Sequence, residues 1–144
     1  MLKIVDCVVV DQLRLVWPVM CQLRNNLSED EYLVRFSAAL AEGYRLFGLM
    51  EDGEPLGLIG WRMVNDLASG RSLYVDDLIV DQRKRSRNHG QMLIGFARER
   101  ARKENCDAIR LSSAIRRNRA HTFYEREGFD RAGYAFKMDL ADRR

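Results

Sequence analysis

The segment that decides the fold reads Leu73-Tyr74-Val75-Asp76-Asp77-Leu78-Ile79-Val80-Asp81-Gln82-Arg83-Lys84-Arg85-Ser86-Arg87-Asn88-His89-Gly90. Its first half is rich in β-branched and apolar residues, which favours a strand that ends at Val80. Four positive charges and no negative charge follow between residues 83 and 87. A helix that starts just after them presents free backbone N–H groups and the positive end of its dipole. The segment therefore predicts an anion-binding turn that suits a pyrophosphate group.

The last residues of this turn suit a close approach between the backbone and a ligand. Gly90 has no side chain to obstruct that approach, and Asn88 is of a residue type that tolerates the left-handed backbone conformation. A run of basic residues is most often a solvated surface. The place of this run between a strand and a helix favours the anion site instead.

Hydrophobic periodicity on both sides of this segment predicts alternating strands and helices. The predicted strands cover residues 2–5, 44–50, 55–64, 72–80, 108–113 and 134–140, the last from the alternation of Tyr134, Phe136, Met138 and Leu140. The predicted helices cover residues 11–24, 28–41, 90–104 and a short stretch around 120–124. Ser28 and Glu31 have the form of a capping box for the second helix, and Gly43 would end it. The order β-α-α-β-β-β-α-β-α-β predicts an α/β protein with α+β layering, a mixed sheet with helices on both faces.

Composition sets the broad class of the protein. The chain has 144 residues, of which 47% are hydrophobic and 31% charged, and its net charge is +3. This balance is typical of a globular protein, and no repeat or linker interrupts it, so residues 1–144 are predicted to form a single domain. The apolar run at residues 8–10 is too short for a signal peptide core or a membrane span, which predicts a cytoplasmic protein. The three cysteines form no CxxC pair and no cluster with the two histidines, so we expect reduced thiols and no metal site.

Two motifs of the chain resemble the signatures of the GCN5-related N-acetyltransferase superfamily. The phosphate loop of that family, Q/R-x-x-G-x-G/A between a strand and a helix, is matched by residues 85–90, with Asn88 where the first glycine usually stands. Gln82 stands where many members carry proline. The family's helix A-x-x-F-Y-x-x-x-G-F is met at every position by Ala120, Phe123, Tyr124, Gly128 and Phe129. The resemblance covers residues 44–140, whereas the preceding residues match only in the order of their elements.

The resemblance implies acetyl-CoA as the cosubstrate, held in a cleft between two splayed, central parallel strands of a mostly antiparallel sheet. Pantetheine would bind the backbone of the strand that ends at Val80, and the pyrophosphate would bind the turn that follows. The residues that this implies for the cofactor site are Leu78, Ile79, Val80, Arg83, Lys84, Arg85, Ser86, Arg87, Asn88, His89, Gly90, Gln91, Asn118 and Tyr124.

Acetyl transfer requires a base, an oxyanion donor and an acid, and the chain offers candidates for each. An amine must lose its proton before it attacks, and Asp77 is the first candidate for that base, directly or through water, with Asp76 the second. Neighbouring strand residues face opposite sides of a sheet, so we expect at most one of these two carboxylates to reach the cleft. The backbone N–H of Leu78 or Ile79 is the expected oxyanion donor. Tyr124 occupies the position at which the family carries the acid for the departing thiolate.

These observations favour an N-acetyltransferase that acts on a primary amine, with a small molecule preferred as the acceptor. A protein lysine or N-terminus as acceptor, and a catalytically silent acyl-CoA sensor, remain as alternatives, the latter because Asn88 replaces a glycine. A nucleic-acid-binding module is disfavoured, because Glu99 and Glu104 lie among the arginines of the basic helix and no nucleic-acid-binding motif accompanies it. We expect no nucleic-acid or membrane partner. A homodimer is compatible with the apolar C-terminal strand, although no feature requires one.

Overall fold

The computed structural model describes residues 1–114 and 117–140, with the side chains of residues 85–87 left aside. The chain divides into two compact units, Met1–Leu111 and Ser112–Arg144. The elements of the first unit are β1 Leu2–Cys7, α1 Val10–Leu23, α2 Glu29–Ala41, β2 Arg45–Glu51, β3 Glu54–Asp66, β4 Gly70–Val80, a 3-10 helix Gln82–Arg87, α3 His89–Lys103 and β5 Ala108–Leu111. The second unit contains α4 Asn118–Arg126. The predicted order of elements is therefore confirmed as far as α4.

The first unit is built on one five-stranded sheet in the order β1-β2-β3-β4-β5. The pairs β1–β2, β2–β3 and β3–β4 are antiparallel. β5 pairs with β4 in parallel, from Ser72 opposite Ala108 to Val75 opposite Leu111. The predicted mixed, mostly antiparallel sheet is thus confirmed. The parallel pair lies at one edge of the described sheet and not at its centre. β4 continues to Val80 beyond its last pair with β5, and within the described unit this extension has only β3 as a strand neighbour.

Helices cover both faces of this sheet, as the sequence predicts. On one face α1 and α2 contribute Val16, Val19 and Phe36 to a core that also contains the free thiol of Cys7, which is 2% exposed. On the other face α3 places the Phe96 ring 5.1 Å from Phe47 and 5.4 Å from Trp61, measured between ring centroids. The Arg100 guanidinium lies 5.4 to 5.7 Å from the centroids of the same three rings. No described helix is both long and apolar enough to cross a bilayer.

The local signals that begin and end the elements agree with the sequence. Ser28 Oγ accepts the backbone N–H of Glu31 at 3.1 Å, and the Glu31 carboxylate accepts the N–H of Ser28 at 2.9 Å, which completes the predicted capping box. Gly43 follows α2 with φ of 97°, a left-handed conformation that glycine adopts without strain. α1 continues through Pro18 to Leu23. Gly128, after α4, has φ of 102° and caps that helix as expected.

The prediction of a last strand over residues 134–140 was wrong. Residues 129–140 contain neither helix nor strand, and the side chains of Tyr134, Phe136 and Met138 are 81%, 94% and 84% exposed. Alternation of apolar residues indicates which face of a strand would be buried. It does not supply the neighbouring strand whose backbone hydrogen bonds a ladder needs, and no such ladder forms among the described residues of this unit.

Strand β3 has a glycine where a buried tyrosine crosses it. A Cβ atom built on Gly60 would lie 1.8 Å from Tyr44 Oη and 2.5 Å from its Cζ. Tyr44 is 7% exposed, and its hydroxyl donates a 2.6 Å hydrogen bond to Asp77 Oδ2. The hydroxyl is bonded to Asp77 and the ring packs against Phe36, so moving the tyrosine aside would break these contacts. Gly60 is therefore required by the position of Tyr44.

We predict that Gly60→Ala lowers the free energy of unfolding by about 1–3 kcal/mol, the usual cost of overpacking a core. The matched control is Gly95→Ala in α3, where an added Cβ has nothing within 4 Å. That change is expected to leave stability unchanged or to raise it by about 0.5–1 kcal/mol, because alanine is the better helix former. Urea unfolding of both variants measures the difference, and a Gly60→Ala variant as stable as the native chain would contradict the prediction.

Candidate active site

A β-bulge in β4 defines the geometry of the candidate site. Gly60 pairs with Asp77 and Trp61 with Val75, so Asp76 is an extra residue on β4. An extra residue breaks the strict alternation of side chains along a strand. Asp77 bonds to Tyr44 and Asp76 bonds to Arg62, both on the side of the sheet that α1 covers. The expectation that Asp76 and Asp77 face opposite sides is therefore corrected, because the bulge brings both carboxylates to one side.

The Asp77 carboxylate is held at both of its oxygens. Arg24 Nε donates to Oδ1 at 2.8 Å, and the Tyr44 hydroxyl donates to Oδ2 at 2.6 Å. Arg24 also donates from Nη2 to the backbone carbonyl of Asp76 at 2.8 Å, so one guanidinium holds both residues of the bulge. Burial raises the pKa of Tyr44 well above 10, and the Asp77 charge raises it further. The tyrosine therefore stays neutral and acts as a hydrogen-bond donor to the carboxylate.

Asp76 is the more accessible of the two carboxylates. Its side chain is 25% exposed, compared with 13% for Asp77. Arg62 donates to it from Nε at 2.9 Å and from Nη2 at 3.2 Å. Burial raises the pKa of Asp76 above the ordinary 3.8, and this effect outweighs the opposing effect of Arg62. A carboxylate with a raised pKa on an accessible bulge has the properties of a general base.

The backbone of the predicted phosphate turn leads through a left-handed residue into the start of a helix. The 3-10 helix Gln82–Arg87 leads to Asn88, which has φ of 62° and ψ of 25°, and α3 starts at His89. Asn88 thus adopts the left-handed conformation that its residue type tolerates. His89 is 5% exposed, and its Nδ1 is buried with no hydrogen-bond partner among the described side chains, so its imidazole is packed inside. The side chains of Arg85, Ser86 and Arg87, which we predicted at the cofactor site, lie outside what is described.

Arg83, also predicted to contact the cofactor, is bonded to the end of β4. Its guanidinium donates to Asp81 from Nε at 3.1 Å and from Nη2 at 2.8 Å, and its backbone N–H donates to the same carboxylate at 3.0 Å. Asp81 is 1% exposed. The hydrogen bonds from Arg83 hold the pKa of Asp81 well below its ordinary range, so Asp81 remains ionised at neutral pH. Arg83 therefore forms an ion pair with a buried carboxylate at the end of β4.

The remaining predicted cofactor residues of the first unit are on β4 and at the start of α3. The side chains of Leu78 and Ile79 are 9% and 8% exposed, so these residues can offer only their backbone groups to a ligand. Val80, Lys84 and Gly90 are partly exposed, and Gln91 is exposed. The backbone along this part of β4 is not paired to β5. An extended ligand that adds to the strand edge fits this arrangement.

The second unit contains Asn118 and Tyr124, the other predicted site residues. Tyr124 lies on α4 between the rings of Phe123 and Phe129, at centroid distances of 5.6 and 5.9 Å. Burial raises the pKa of Tyr124, and the charge of Arg117 opposes this shift. Asn118 is the first residue of α4, and its carbonyl accepts the Thr122 hydroxyl at 3.1 Å. Tyr124 thus keeps its proton at neutral pH, as an acid must.

Sequence reasoning missed the residues that hold the candidate site in place. Arg24, Tyr44 and Gln22 bond to Asp77 or Asp81 from positions more than thirty residues away along the chain. No pattern in one sequence indicates such long-range pairs. Among the described residues, no group of three or more His, Cys, Asp or Glu side chains is arranged to hold a metal ion.

Known proteins share the sequence features and the fold described above. Residues 13–129 match the model of the acetyltransferase (GNAT) family. The chain is 34% identical over 126 residues to an uncharacterized N-acetyltransferase, YhdJ, of Bacillus subtilis, with 86% of this chain and 89% of that protein covered. It is 30% identical over 130 residues to an aminoalkylphosphonate N-acetyltransferase of Salmonella typhimurium, with 87% and 83% covered.

A solved structure gives the same result for the fold. An aminoglycoside N-acetyltransferase in complex with CoA superposes with a TM-score of 0.83 at 17% identity, with 96% of this chain and 94% of that chain covered. At that level of identity the likeness concerns the fold alone. The family match covers most of the chain and includes the β4–turn–α3 segment together with α4. The chain therefore belongs to the GNAT family of acetyltransferases and is an acyltransferase of that family.

Proposed function

We propose that the protein transfers the acetyl group of acetyl-CoA to the primary amine of a small molecule. The observation that carries the proposal is a continuous arrangement of three parts. They are the edge of β4 beyond Val75, which no described strand pairs on the β5 side, a cationic turn with left-handed Asn88, and the start of α3. A strand edge offers backbone hydrogen bonds to an extended amide chain, and a helix start offers N–H groups to phosphates. Pantetheine and pyrophosphate are joined in that order in CoA.

The residues proposed to hold CoA fit this division. The backbone of Leu78, Ile79 and Val80 would bind pantetheine, and the backbone from Asn88 to Gln91 would bind the pyrophosphate. Lys84, with Arg85 and Arg87, would supply positive charge to the phosphates. Acetyl-CoA itself supplies a thioester, whose acetyl carbon is open to attack by an amine. Localisation in the cytoplasm is part of the proposal.

The bulge is proposed to supply the base. The sequence ranked Asp77 before Asp76, whereas the contacts favour the opposite order. Both carboxylates accept from a guanidinium, but Asp77 also accepts from the buried Tyr44 hydroxyl and is the less exposed residue, while Asp76 has a raised pKa and is more accessible. We assign proton removal from the amine to Asp76, directly or through water, and the maintenance of the bulge to Asp77. The backbone N–H of Leu78 or Ile79 would stabilise the negative charge that develops on the reacting carbonyl oxygen.

Tyr124 is proposed to donate the proton to the departing thiolate. The raised pKa keeps its hydroxyl protonated at neutral pH, so that a proton is available at the moment the thiolate forms. Asn118, at the start of the same helix, is proposed to contact CoA. Both assignments rest on the family motif and on the environment of α4.

The acceptor is proposed to be a small amine because of the relatives. The protein of Salmonella typhimurium that is 30% identical over most of this chain is named for aminoalkylphosphonates, which carry a primary amine on a short chain. Short aminoalkyl compounds are therefore the first acceptors to test, with aminoglycosides and amino sugars as a second group.

We predict one-site binding of acetyl-CoA in a calorimetric titration, with no binding of a DNA duplex under the same conditions. Release of free CoA in the presence of a short aminoalkyl acceptor would then establish turnover. A peptide with free lysine and N-terminal amines serves as the competing acceptor class. Turnover only with the peptide would overturn the small-molecule assignment, and binding without turnover on any amine would favour an acyl-CoA sensor.

We predict that Asp76→Asn lowers kcat by about 10²–10⁴-fold, the usual contribution of a general base. Because burial raises the pKa of Asp76 above 3.8, the acid limb of the native kcat/KM profile should lie above that pH. Activity rises with pH through this limb as the carboxylate ionises. The limb should be absent in Asp76→Asn when both proteins are assayed with the same acceptor.

Asp77→Asn is the companion variant for this assignment. It removes the charge that Arg24 and Tyr44 contact, so it should reduce stability more than Asp76→Asn does. If Asp77→Asn stays folded but its pH profile loses the acid limb, and Asp76→Asn remains active, then Asp77 is the base.

We predict that Tyr124→Phe lowers kcat by about 10²–10³-fold, since a single proton donor is removed from the reaction. Tyr134→Phe provides the control, because this tyrosine belongs to the same unit and is 81% exposed. Steady-state kinetics at saturating acetyl-CoA distinguish the two. Equal kcat values for the native chain and Tyr124→Phe would remove the tyrosine from the mechanism.

A further inference from the structure

The last turn of α1 is joined to the start of the phosphate turn by one side chain. Gln22 Nε2 donates to Asp81 Oδ1 at 3.3 Å, and Gln22 Oε1 accepts the backbone N–H of Gln82 at 3.0 Å. The same nitrogen also donates to the Pro18 carbonyl at 3.2 Å. Both ends of the amide are engaged, and a flipped amide would place its oxygen against the Asp81 carboxylate. Gln22 therefore has one orientation that satisfies all of these contacts.

Asp81 completes this link from inside the protein. A buried carboxylate is tolerated when donors satisfy its oxygens. Arg83 provides three of these donors and Gln22 provides a fourth, from a different element of the fold. The Arg83 side chain is 75% exposed and yet directed back to the buried carboxylate, which is 1% exposed. Arg83, the first cation of the turn, thus stabilises the conformation of the turn through its ion pair with Asp81.

The backbone at this point is fixed as well. The Asp81 N–H donates to the Leu56 carbonyl at 2.8 Å, and the Lys84 N–H donates to the Asp81 carbonyl at 2.9 Å. Residues 81 to 84 are therefore bonded to β3, to α1 and to each other. At its other end the turn passes through Asn88 into α3. Residues 85–87 join this anchored point to Asn88, so the anchor fixes the backbone of the turn that leads into α3.

We infer that Gln22 is a positioning residue for the phosphates of acetyl-CoA, acting through Asp81 and the backbone of Gln82, and that Arg83 belongs to the same anchor instead of binding phosphate. The inference rests on the proposed function, because it takes residues 82–91 as the phosphate site. Gln22 itself contacts no cofactor in this arrangement. Without it, a smaller fraction of the protein holds the turn in the binding conformation, and the apparent affinity falls by that fraction. We expect the chemical step to be unaffected, since the described hydrogen bonds of Gln22 are to Pro18, Asp81 and Gln82.

The test is Gln22→Met, which keeps the length of the side chain and removes its hydrogen bonds. We expect KM for acetyl-CoA and Kd for CoA to rise by about tenfold, as the loss of the two hydrogen bonds to the turn suggests, with kcat within about twofold of native. The matched control is Gln12→Met in the same helix. Gln12 Oε1 accepts the N–H groups of Val8 and Val9 at 2.9 and 3.1 Å, far along the helix from the turn. That variant should lose similar hydrogen bonds without any change in KM.

Amide hydrogen exchange provides a measurement that does not require the cofactor. The N–H of Gln82 should exchange faster in Gln22→Met than in the native chain or in Gln12→Met. The inference would be overturned if the N–H of Gln82 exchanged at the native rate in Gln22→Met, or if it exchanged faster while KM stayed unchanged. In either case, CoA binding by the native protein would still support the proposed function. Native protein that fails to bind CoA would overturn both.

A salt titration tests the assignment of Arg83. The variant for this test is Arg83→Met combined with Asp81→Asn, which removes the ion pair and keeps the net charge of the turn. A phosphate contact made by Arg83 would make CoA binding less dependent on salt in this double variant, because a screened charge pair is lost. We expect weaker binding with the native dependence on salt. A reduced salt dependence would show that Arg83 contacts phosphate and would overturn this part of the inference.

Discussion

The arrangement of the site depends on the hydrogen bonds that the Asp77 carboxylate accepts from Arg24 and Tyr44. This carboxylate connects the β4 bulge to the end of α1 through Arg24 and to the start of β2 through Tyr44. Removing the carboxylate would leave a buried hydroxyl without its acceptor, which costs more than the bond itself contributes. Position 60 accepts only glycine because Tyr44 occupies the space that a Cβ atom would need. The bulge, and with it the exposure of Asp76, is fixed by these contacts.

The cationic side chains of this region have two roles: some form ion pairs within the protein, and others remain for a ligand. Arg24, Arg62 and Arg83 each form an ion pair with a carboxylate of β4 or of the residue that follows it. Such pairs fix geometry, and they leave little net charge for a ligand. The positive character of the turn then comes from the cations after Arg83 and from the start of α3. A basic stretch in a sequence can therefore contain both anchors and ligand contacts.

The parts of the fold that follow local rules were predictable from the sequence, and those that follow distant contacts were not. The capping box at Ser28, the left-handed Asn88 and the strand–turn–helix segment are local, and the structure contains each of them. The bulge at Asp76 was missed, because it depends on the register between β3 and β4. The strand expected at 134–140 failed for the same reason, since alternation cannot specify a pairing partner. Arg24 and Gln22 bond to Asp77 and Asp81, more than fifty residues further along the chain, and no local sequence pattern indicates these contacts.

The buried thiol of Cys7 gives the protein a chemical reporter of its own folding. Burial raises the pKa of this thiol to about 11. Only the thiolate attacks a disulfide reagent, so at pH 8 Cys7 is almost entirely in the unreactive thiol form, and the core shields it. Burial also raises the pKa of Cys106, which contacts Met63. Slow labelling of Cys7 would therefore time the opening of the core around α1, and a reagent that detects released CoA would meet little interference from this residue.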